Sequence, residues 1–384
     1  MSEGPERDVP HVMFVLSGLT MGGAESQLTS LVEAEAPAAA RWRVTVLTLT
    51  RARHPELAQR LERRGVRLVL VDRQAASFPR FFARLVRAMR AARPDVVHTL
   101  LSGSSGTWGR FAARLAGVPC VAHSDRSLEP VRTRLQAALE PWANRVTDAF
   151  FTNADAIAQR LAASGVPARR IAVVPNGVDL GRFAAADGAA LRREWGVGAT
   201  GLVVGYLGML RPEKRPQLLL DALERMPEAE RPARVVYAGD GALRAELEER
   251  VRRSPWAAEH VRFLGVRSDV PAFLAAIDVL VLTSDTEGLP NAVIEAMAAG
   301  RPVIATRVSD VPRLVTDNGY LVEPRDAAGL ADALTRMLRL APAERACLGA
   351  AGRARVERAF DLPVAAERFW QAHDQALAGR RAGR

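Results

Sequence analysis

Two glutamates, Glu287 and Glu295, stand eight residues apart in the segment Thr283 to Ala305, T-S-D-T-E-G-L-P-N-A-V-I-E-A-M-A-A-G-R-P-V-I-A. Carboxylates at this spacing suit a nucleotide, provided the chain turns from a loop into a helix between them. The residue types predict that turn. Val279 to Leu282 reads as a buried strand, Gly288 and Pro290 break it, and Asn291 to Ala299 reads as a helix stopped by Gly300. Glu287 is then a loop residue and Glu295 lies roughly 6 Å along the helix axis, so both acids can face one crevice. Backbone amides from Gly288 through Leu289 to Asn291, with Pro290 at the turn, would favour an anionic group at that helix start. As isolated residues, the two acids could equally be solvated surface charges. The strand, the Gly-Leu-Pro loop, the small-residue helix and a second strand beginning near Pro302 weigh against that reading.

The chain has 384 residues, which predicts two domains, and 48% hydrophobic residues, enough for sizeable cores. No apolar run approaches the ~20 residues of a membrane-spanning helix, and the first residues lack a signal-peptide core, so a cytoplasmic chain is expected. Cys120 and Cys347 are too few for a disulfide framework, and packing roles are expected for both. No Asp-x-Asp pair and no histidine pair at ligand spacing occurs, so no metal site is expected. The net charge of +10 comes from scattered arginines rather than a basic tail or a known nucleic-acid motif. It fits anionic lipids or phosphorylated ligands equally well. Lys214 is the only lysine among 53 cationic residues, and a compact ammonium is a form in which phosphate is often met.

Strand patterns near Val9–Leu16, Val44–Leu49, Leu68–Val71, Val96–Leu100, Val118–Ala122, Ala149–Thr152 and Ile171–Pro175 alternate with helical ones. A second series runs from Leu202–Leu207 through Arg234–Ala238, Val261–Leu264, Val279–Leu282 and Val303–Ala305 to Tyr320–Val322. Such alternation predicts α/β architecture with two doubly wound parallel sheets, whose ligands bind outside the strands' carboxyl ends. The expected division is residues 1–176 and 177–362, with a final helix from about 363 to 384.

Several segments, in order along most of the chain, resemble the large retaining glycosyltransferase family commonly called family 4. The run from Glu287 to Glu295 resembles its E-x7-E signature, and Gly22-Gly23-Ala24-Glu25 resembles its N-terminal glycine loop. Pro175-Asn176-Gly177-Val178-Asp179 resembles its interdomain motif, and Gly208 to Lys214 its phosphate-binding G-R-L-x-x-E-K segment, with Met209 where the arginine is expected and Arg211 two residues on. Ala238-Gly239-Asp240-Gly241 and Phe263 to Arg267 resemble loops beside the nucleotide.

The resemblance implies the GT-B fold: two Rossmann-like domains facing across a cleft, with the final helix returning to the first. It implies a metal-independent transferase without a cofactor, whose donor substrate is a nucleotide-diphosphate sugar and whose acceptor is a glycan or lipid-linked hydroxyl. Lys214 would neutralise the diphosphate, Glu287 would contact the donor sugar and Glu295 would hold the ribose hydroxyls. The family's histidine near the anomeric carbon corresponds to His123 by the strand pattern, or to Asp125 by spacing from Pro119, with Arg126 in the same loop. His98 matches the first position of a D-V-V-H-x-H pattern, with Leu100 at the second, and is expected to pack rather than react.

Phe78 to Arg93 reads as an amphipathic helix, with Arg80, Arg84 and Arg87 to one side and Phe81, Leu85 and Met89 near the other. Packing of its apolar face on the sheet competes with peripheral contact with an anionic membrane. A non-catalytic nucleotide-sugar-binding or scaffold protein is the competing functional class.

Overall fold

A computed structural model describes residues 9–20, 22–126, 128, 132–198 and 200–382. The chain forms two compact units: residues up to Gly177 together with those from Leu362 on, and Val178–Asp361.

The N-terminal unit holds seven strands: β1 (His11–Leu16), β2 (Arg43–Thr48), β3 (Arg67–Leu70), β4 (Val96–Leu100), β5 (Cys120–Asp125), β6 (Ala149–Thr152) and β7 (Ile171–Val173). They pair in parallel in the order β3-β2-β1-β4-β5-β6-β7. Residues of alternate parity in each strand feed opposite faces of the sheet. Val12, Phe14 and Leu16 pack with Leu28, Leu31 and Trp370 on one face, while Met13 and Val15 pack with Phe81, Leu85 and Met89 on the other.

The C-terminal unit repeats the plan with β8 (Val203–Leu207), β9 (Arg234–Ala238), β10 (Val261–Gly265), β11 (Val279–Leu282), β12 (Val303–Thr306) and β13 (Gly319–Val322). All are parallel, in the order β10-β9-β8-β11-β12-β13. In both sheets the strand order reverses beside the first strand. Loops leaving β1 and β4, and those leaving β8 and β11, therefore lead to opposite faces of the sheet, the place at the carboxyl edge where such folds bind ligands.

Two departures from the sequence reading matter for the site. Strand β5 begins one residue after Pro119, which lacks a ladder N–H, and continues through the polar residues His123, Ser124 and Asp125 to pair with β6. His123 and Asp125 are therefore strand residues, not members of a loop. Cys347 is exposed, whereas Cys120 is buried in the core. Helix 78–92 buries Phe81, Leu85 and Met89, so its apolar side packs inward while Arg80, Arg84 and Arg87 stay exposed. No described helix is long and apolar enough to cross a membrane.

The final helix, Leu362–Ala382, docks on the first face of the N-terminal sheet. Gly177 permits its approach, since a Cβ there would stand 2.8 Å from the Cβ of Ala365. Trp370 is buried, donates its indole N–H to the carbonyl of Leu31 at 3.2 Å, and stacks near Trp42. Beside it runs a buried polar chain. His373 Nδ1 bonds the carbonyl of Phe369 at 2.8 Å, its Nε2 meets His98 Nδ1 at 2.8 Å, and His98 Nε2 meets Ser124 Oγ at 2.8 Å. His98 thus serves packing, on the face opposite His123.

With both rings neutral each of these bonds has one donor and one acceptor: His373 Nδ1–H to the Phe369 carbonyl, His98 Nδ1–H to His373 Nε2, and the Ser124 hydroxyl to His98 Nε2. Burial depresses both groups: His373 to about 4, against the raising effect of its bond to Phe369, and His98 well below its ordinary value, with His373 adding to the effect. The stability they confer is complete above the unfolded value near 6.5 and is lost as pH falls towards 4, by about 3 kcal/mol for His373 alone. Thermal unfolding across pH 7 to 4 should show a steeper acid loss for the wild type than for His373→Phe. Parallel curves would contradict this.

Candidate functional site

The crevice of the C-terminal unit is built by the loops leaving β8 and β11. Backbone contacts fix the first of these loops. Gly239 has φ +145°, and a Cβ there would lie 1.9 Å from the carbonyl oxygen of Gly208, so only glycine lets the loops after β8 and β9 touch. Leu210 N–H then bonds the carbonyl of Asp240 at 3.0 Å. A single 3-10 turn, Pro212–Lys214, brings Lys214 back to β11. Thr283 donates its hydroxyl to the carbonyl of Lys214 at 2.9 Å, and Asp285 N–H bonds the carbonyl of Glu213 at 2.9 Å.

Lys214 Nζ consequently sits 2.7 Å from Glu287 Oε2, and Ser284 donates to the other carboxylate oxygen at 2.6 Å. Glu287 is buried and Lys214 half-buried. The pair brings together the cation and one of the acids singled out in the sequence, from positions 73 residues apart. Glu287 is thus satisfied on both oxygens.

Glu295 is in the opposite condition. It lies in helix 291–298, which starts after Pro290 with no side-chain cap, and its carboxyl has no hydrogen-bond partner among the described residues. Loss of water pushes its pKa up to about 7, with the charge of exposed Arg182 acting the other way. A half-buried carboxyl without a protein partner is suited to accept hydroxyls from a ligand. Gly288, Leu289, Pro290 and Asn291 form the connection between the two acids, with Leu289 and Pro290 buried.

Arg211 and Arg267 are placed differently. Arg211 is exposed. Arg267 donates to both oxygens of Asp269, at 2.7 and 2.5 Å, so its guanidinium is already committed within its own loop.

In the N-terminal unit, Gly22 precedes helix 23–33, whose first residue is Gly23. A Cβ on Gly22 would fall 2.3 Å from Glu25 Oε2, so the missing side chain makes room for that carboxylate to fold back over the helix start. Burial raises the pKa of Glu25, while Thr20 and Arg126 draw it down. Arg126 is half-buried, donates to Asn176 Oδ1 at 3.0 Å and is pushed by burial to about 10, with Glu25 opposing. Glu25 belongs to the glycine motif Gly22-Gly23-Ala24-Glu25, and the structure sets its carboxylate beside that loop. Its signal was a carboxylate three residues past a Gly at a helix start.

His123 is fully buried on β5, with Nδ1 bonded to Thr99 Oγ1 at 2.8 Å and Nε2 without a hydrogen-bond partner among the described residues. Burial, followed by the charges of Arg110 and Arg132, holds its pKa well below the ordinary value, so the ring is neutral near pH 7. Asp125, two residues on, shares its side of the strand. Its buried carboxylate pairs with Arg160 and lies 3.7 Å from Arg132. Asp125 therefore acts as a counter-ion, and His123 is the one of these two with an uncommitted atom.

Residues 21–182 match the family model described as Glycosyltransferase Family 4, and residues 201–339 match the one described as Glycosyl transferases group 1. Among curated relatives, the chain is 32% identical to the UDP-Gal:alpha-D-GlcNAc-diphosphoundecaprenol alpha-1,3-galactosyltransferase of Escherichia coli, over 66% of this chain and 68% of that protein. It is 31% identical to the 2-deoxystreptamine glucosyltransferase of Streptomyces kanamyceticus, over 76% and 79%. Anabaena HepE in complex with UDP and glucose superposes with a TM-score of 0.81 at 22% identity, covering 95% of this chain and 100% of that one, which shows the same fold. The two parallel sheets, the matched segments and these relatives together establish that this chain is a glycosyltransferase of family 4, with the GT-B fold.

Proposed function

We propose that this enzyme transfers a sugar from a nucleotide-diphosphate donor to a hydroxyl of a lipid-linked or cell-envelope glycan, with retention of anomeric configuration and without a metal. The observation that carries this reading is the contrast between the two acids: Glu295 has a carboxyl with no hydrogen-bond partner among the described residues, while Glu287 is paired with Lys214 and Ser284. In this reading Glu295 accepts from the ribose hydroxyls. A vicinal diol offers the two donors that its oxygens lack, as acidic residues do for ribose in dinucleotide-binding folds. Lys214 meets the diphosphate, and its pairing with Glu287 holds the ammonium at the strand ends before the donor arrives. Glu287, steadied by Ser284 and Lys214, presents its carboxylate to the donor sugar.

Transfer then breaks the bond between the anomeric carbon and the diphosphate oxygen. The acceptor oxygen bonds to that carbon from the same face, and its proton passes to the departing oxygen. Protein groups stabilise charge on the diphosphate and on the oxocarbenium-like sugar. Lys214 and the uncapped start of helix 291–298 provide positive potential in the C-terminal unit. Arg126 and the neutral ring of His123 are assigned to the acceptor side, from their place at the carboxyl ends of the N-terminal strands. The lipid-linked acceptor is supported by the diphosphoundecaprenol substrate in the name of the Escherichia coli relative and by the basic charge of the chain.

A thermal-shift panel of nucleotide sugars should identify the donor, since saturation at 100 times the dissociation constant stabilises by about 2.7 kcal/mol. With that donor, Glu295→Gln and Lys214→Ala should each weaken calorimetric affinity by about tenfold or more, the effect of losing a charge-assisted hydrogen bond. Unchanged affinity in both variants would refute the assignment.

The raised pKa of Glu295 gives a further expectation with a definite sign. The ionised carboxylate is the better acceptor, so donor affinity of the wild type should rise as pH increases through about 7. The same burial makes ionised Glu295 unfavourable in the free enzyme, so unliganded Glu295→Gln should melt higher than the wild type at pH 8, although it binds donor less well. Equal melting temperatures at pH 8, with the same pH dependence of affinity in both proteins, would contradict this.

A further inference from the structure

Among the described residues five other than glycine take positive φ, and two of these five meet on one carboxylate. Arg215, at φ +47°, follows the 3-10 turn that carries Lys214. Arg325, at φ +65°, lies in the turn between β13 and helix 327–339. Arg215 Nε donates to Asp285 Oδ2 at 2.8 Å, and Arg325 donates to the same oxygen from Nη2 at 2.9 Å, with its Nε 3.2 Å from both oxygens. Left-handed backbone is unfavourable for a residue with a Cβ and persists only where the surroundings hold it. Glycine would meet the need of the backbone at both positions. What arginine adds at both is a guanidinium on Asp285.

Asp285 stands among the carboxyl ends of the C-terminal strands. It follows β11, whereas Arg215 follows the neighbouring β8, and Arg325 follows β13, two strands away on the other side. One side chain thereby ties three strand-end loops together. The end of β12, which lies between, joins them through Thr306, whose hydroxyl donates to the carbonyl of Ser284 at 2.6 Å. Partial burial acts to raise the pKa of Asp285, but the guanidiniums of Arg325 and Arg215 hold it below the ordinary carboxylate value.

The grip falls on the turn that places the lysine. Three successive residues of that turn are held by two residues of segment 283–285. Glu213 offers its carbonyl to the N–H of Asp285 at 2.9 Å, Lys214 offers its carbonyl to the hydroxyl of Thr283 at 2.9 Å, and Arg215 reaches the Asp285 carboxylate. A lysine ammonium rides on a flexible four-carbon stem, so its aim depends on how firmly its main chain is set.

We propose that Asp285 is a positioning residue for the donor diphosphate: clamped by Arg215 and Arg325, it fixes the turn from which Lys214 reaches the phosphates. The inference rests on the reading of Lys214 as the cation of the diphosphate and adds the residue through which that cation is held. The sign of the effect separates a clamp from plain electrostatics. Removing a carboxylate near the site of an anion strengthens binding of that anion by charge alone, whereas loss of the clamp weakens it.

Calorimetry of the full chain with the nucleoside diphosphate and the nucleoside of the base found in the donor panel tests the proposal. Asp285→Ala should bind the diphosphate about tenfold more weakly, with nucleoside affinity unchanged. In a double-mutant cycle Asp285→Ala should have no further effect once Lys214→Ala is present, because it acts through that ammonium. Arg215→Gly with Arg325→Gly relaxes both turns while releasing Asp285, and should show the same pattern even if Asp285→Ala folds poorly. Unaltered or tighter diphosphate binding by Asp285→Ala and by the glycine pair would overturn the proposal, as would an equal loss in the Lys214→Ala background or a matching fall in nucleoside affinity. A diphosphate preference undiminished by Lys214→Ala would sink the reading of Lys214 and this inference with it. A preference lost in Lys214→Ala but kept in the Asp285 and glycine variants would sink this inference alone.

Discussion

Parallel strand pairing is the constraint on which the rest of this structure depends. A parallel strand cannot return by a hairpin, so every connection must cross a face of the sheet, and every strand ends at the same edge. When the order reverses beside the first strand, as it does next to β1 and β8, neighbouring loops part and leave a crevice that no core residue fills. Lys214 and Glu287 reach each other because they follow the two strands flanking that reversal. Their 2.7 Å contact is a consequence of topology before it is a device of chemistry.

The two acids that share one sequence signature are physically unlike. Glu287 has an ammonium and a hydroxyl on its oxygens. Glu295 is half-buried with no hydrogen-bond partner among the described residues, and burial raises its pKa. An acid arranged in this way favours a ligand that brings hydroxyl groups and excludes water. The N-terminal unit shows the same economy: burial is compensated at Asp125 by Arg160 and Arg132, and left uncompensated at Nε2 of His123.

Much of the fold was legible in the sequence because buried parallel strands are short continuous apolar runs, and twelve of the thirteen strands among the described residues lie within two residues of their expected bounds. Strand β5 was harder. Its second half, His123-Ser124-Asp125, is polar and reads as a loop, yet side chains from other elements bind all three: Thr99, His98 and Arg160. Burial of polar residues that is balanced by distant partners leaves no local periodicity. For the same reason the sequence showed Lys214, Glu287 and Glu295 as candidates but could not tell that Arg267 is held by Asp269 or that Glu25 folds over Gly22.

The central claim is that Lys214 serves the diphosphate while Glu295 serves the ribose. The most direct test is the calorimetric affinity difference between a nucleoside diphosphate and its parent nucleoside, using the base found in the donor panel, in wild type and in Lys214→Ala. The account predicts that the wild type strongly prefers the diphosphate and that this preference collapses in the variant while nucleoside affinity holds. An undiminished preference for the diphosphate in Lys214→Ala would contradict it.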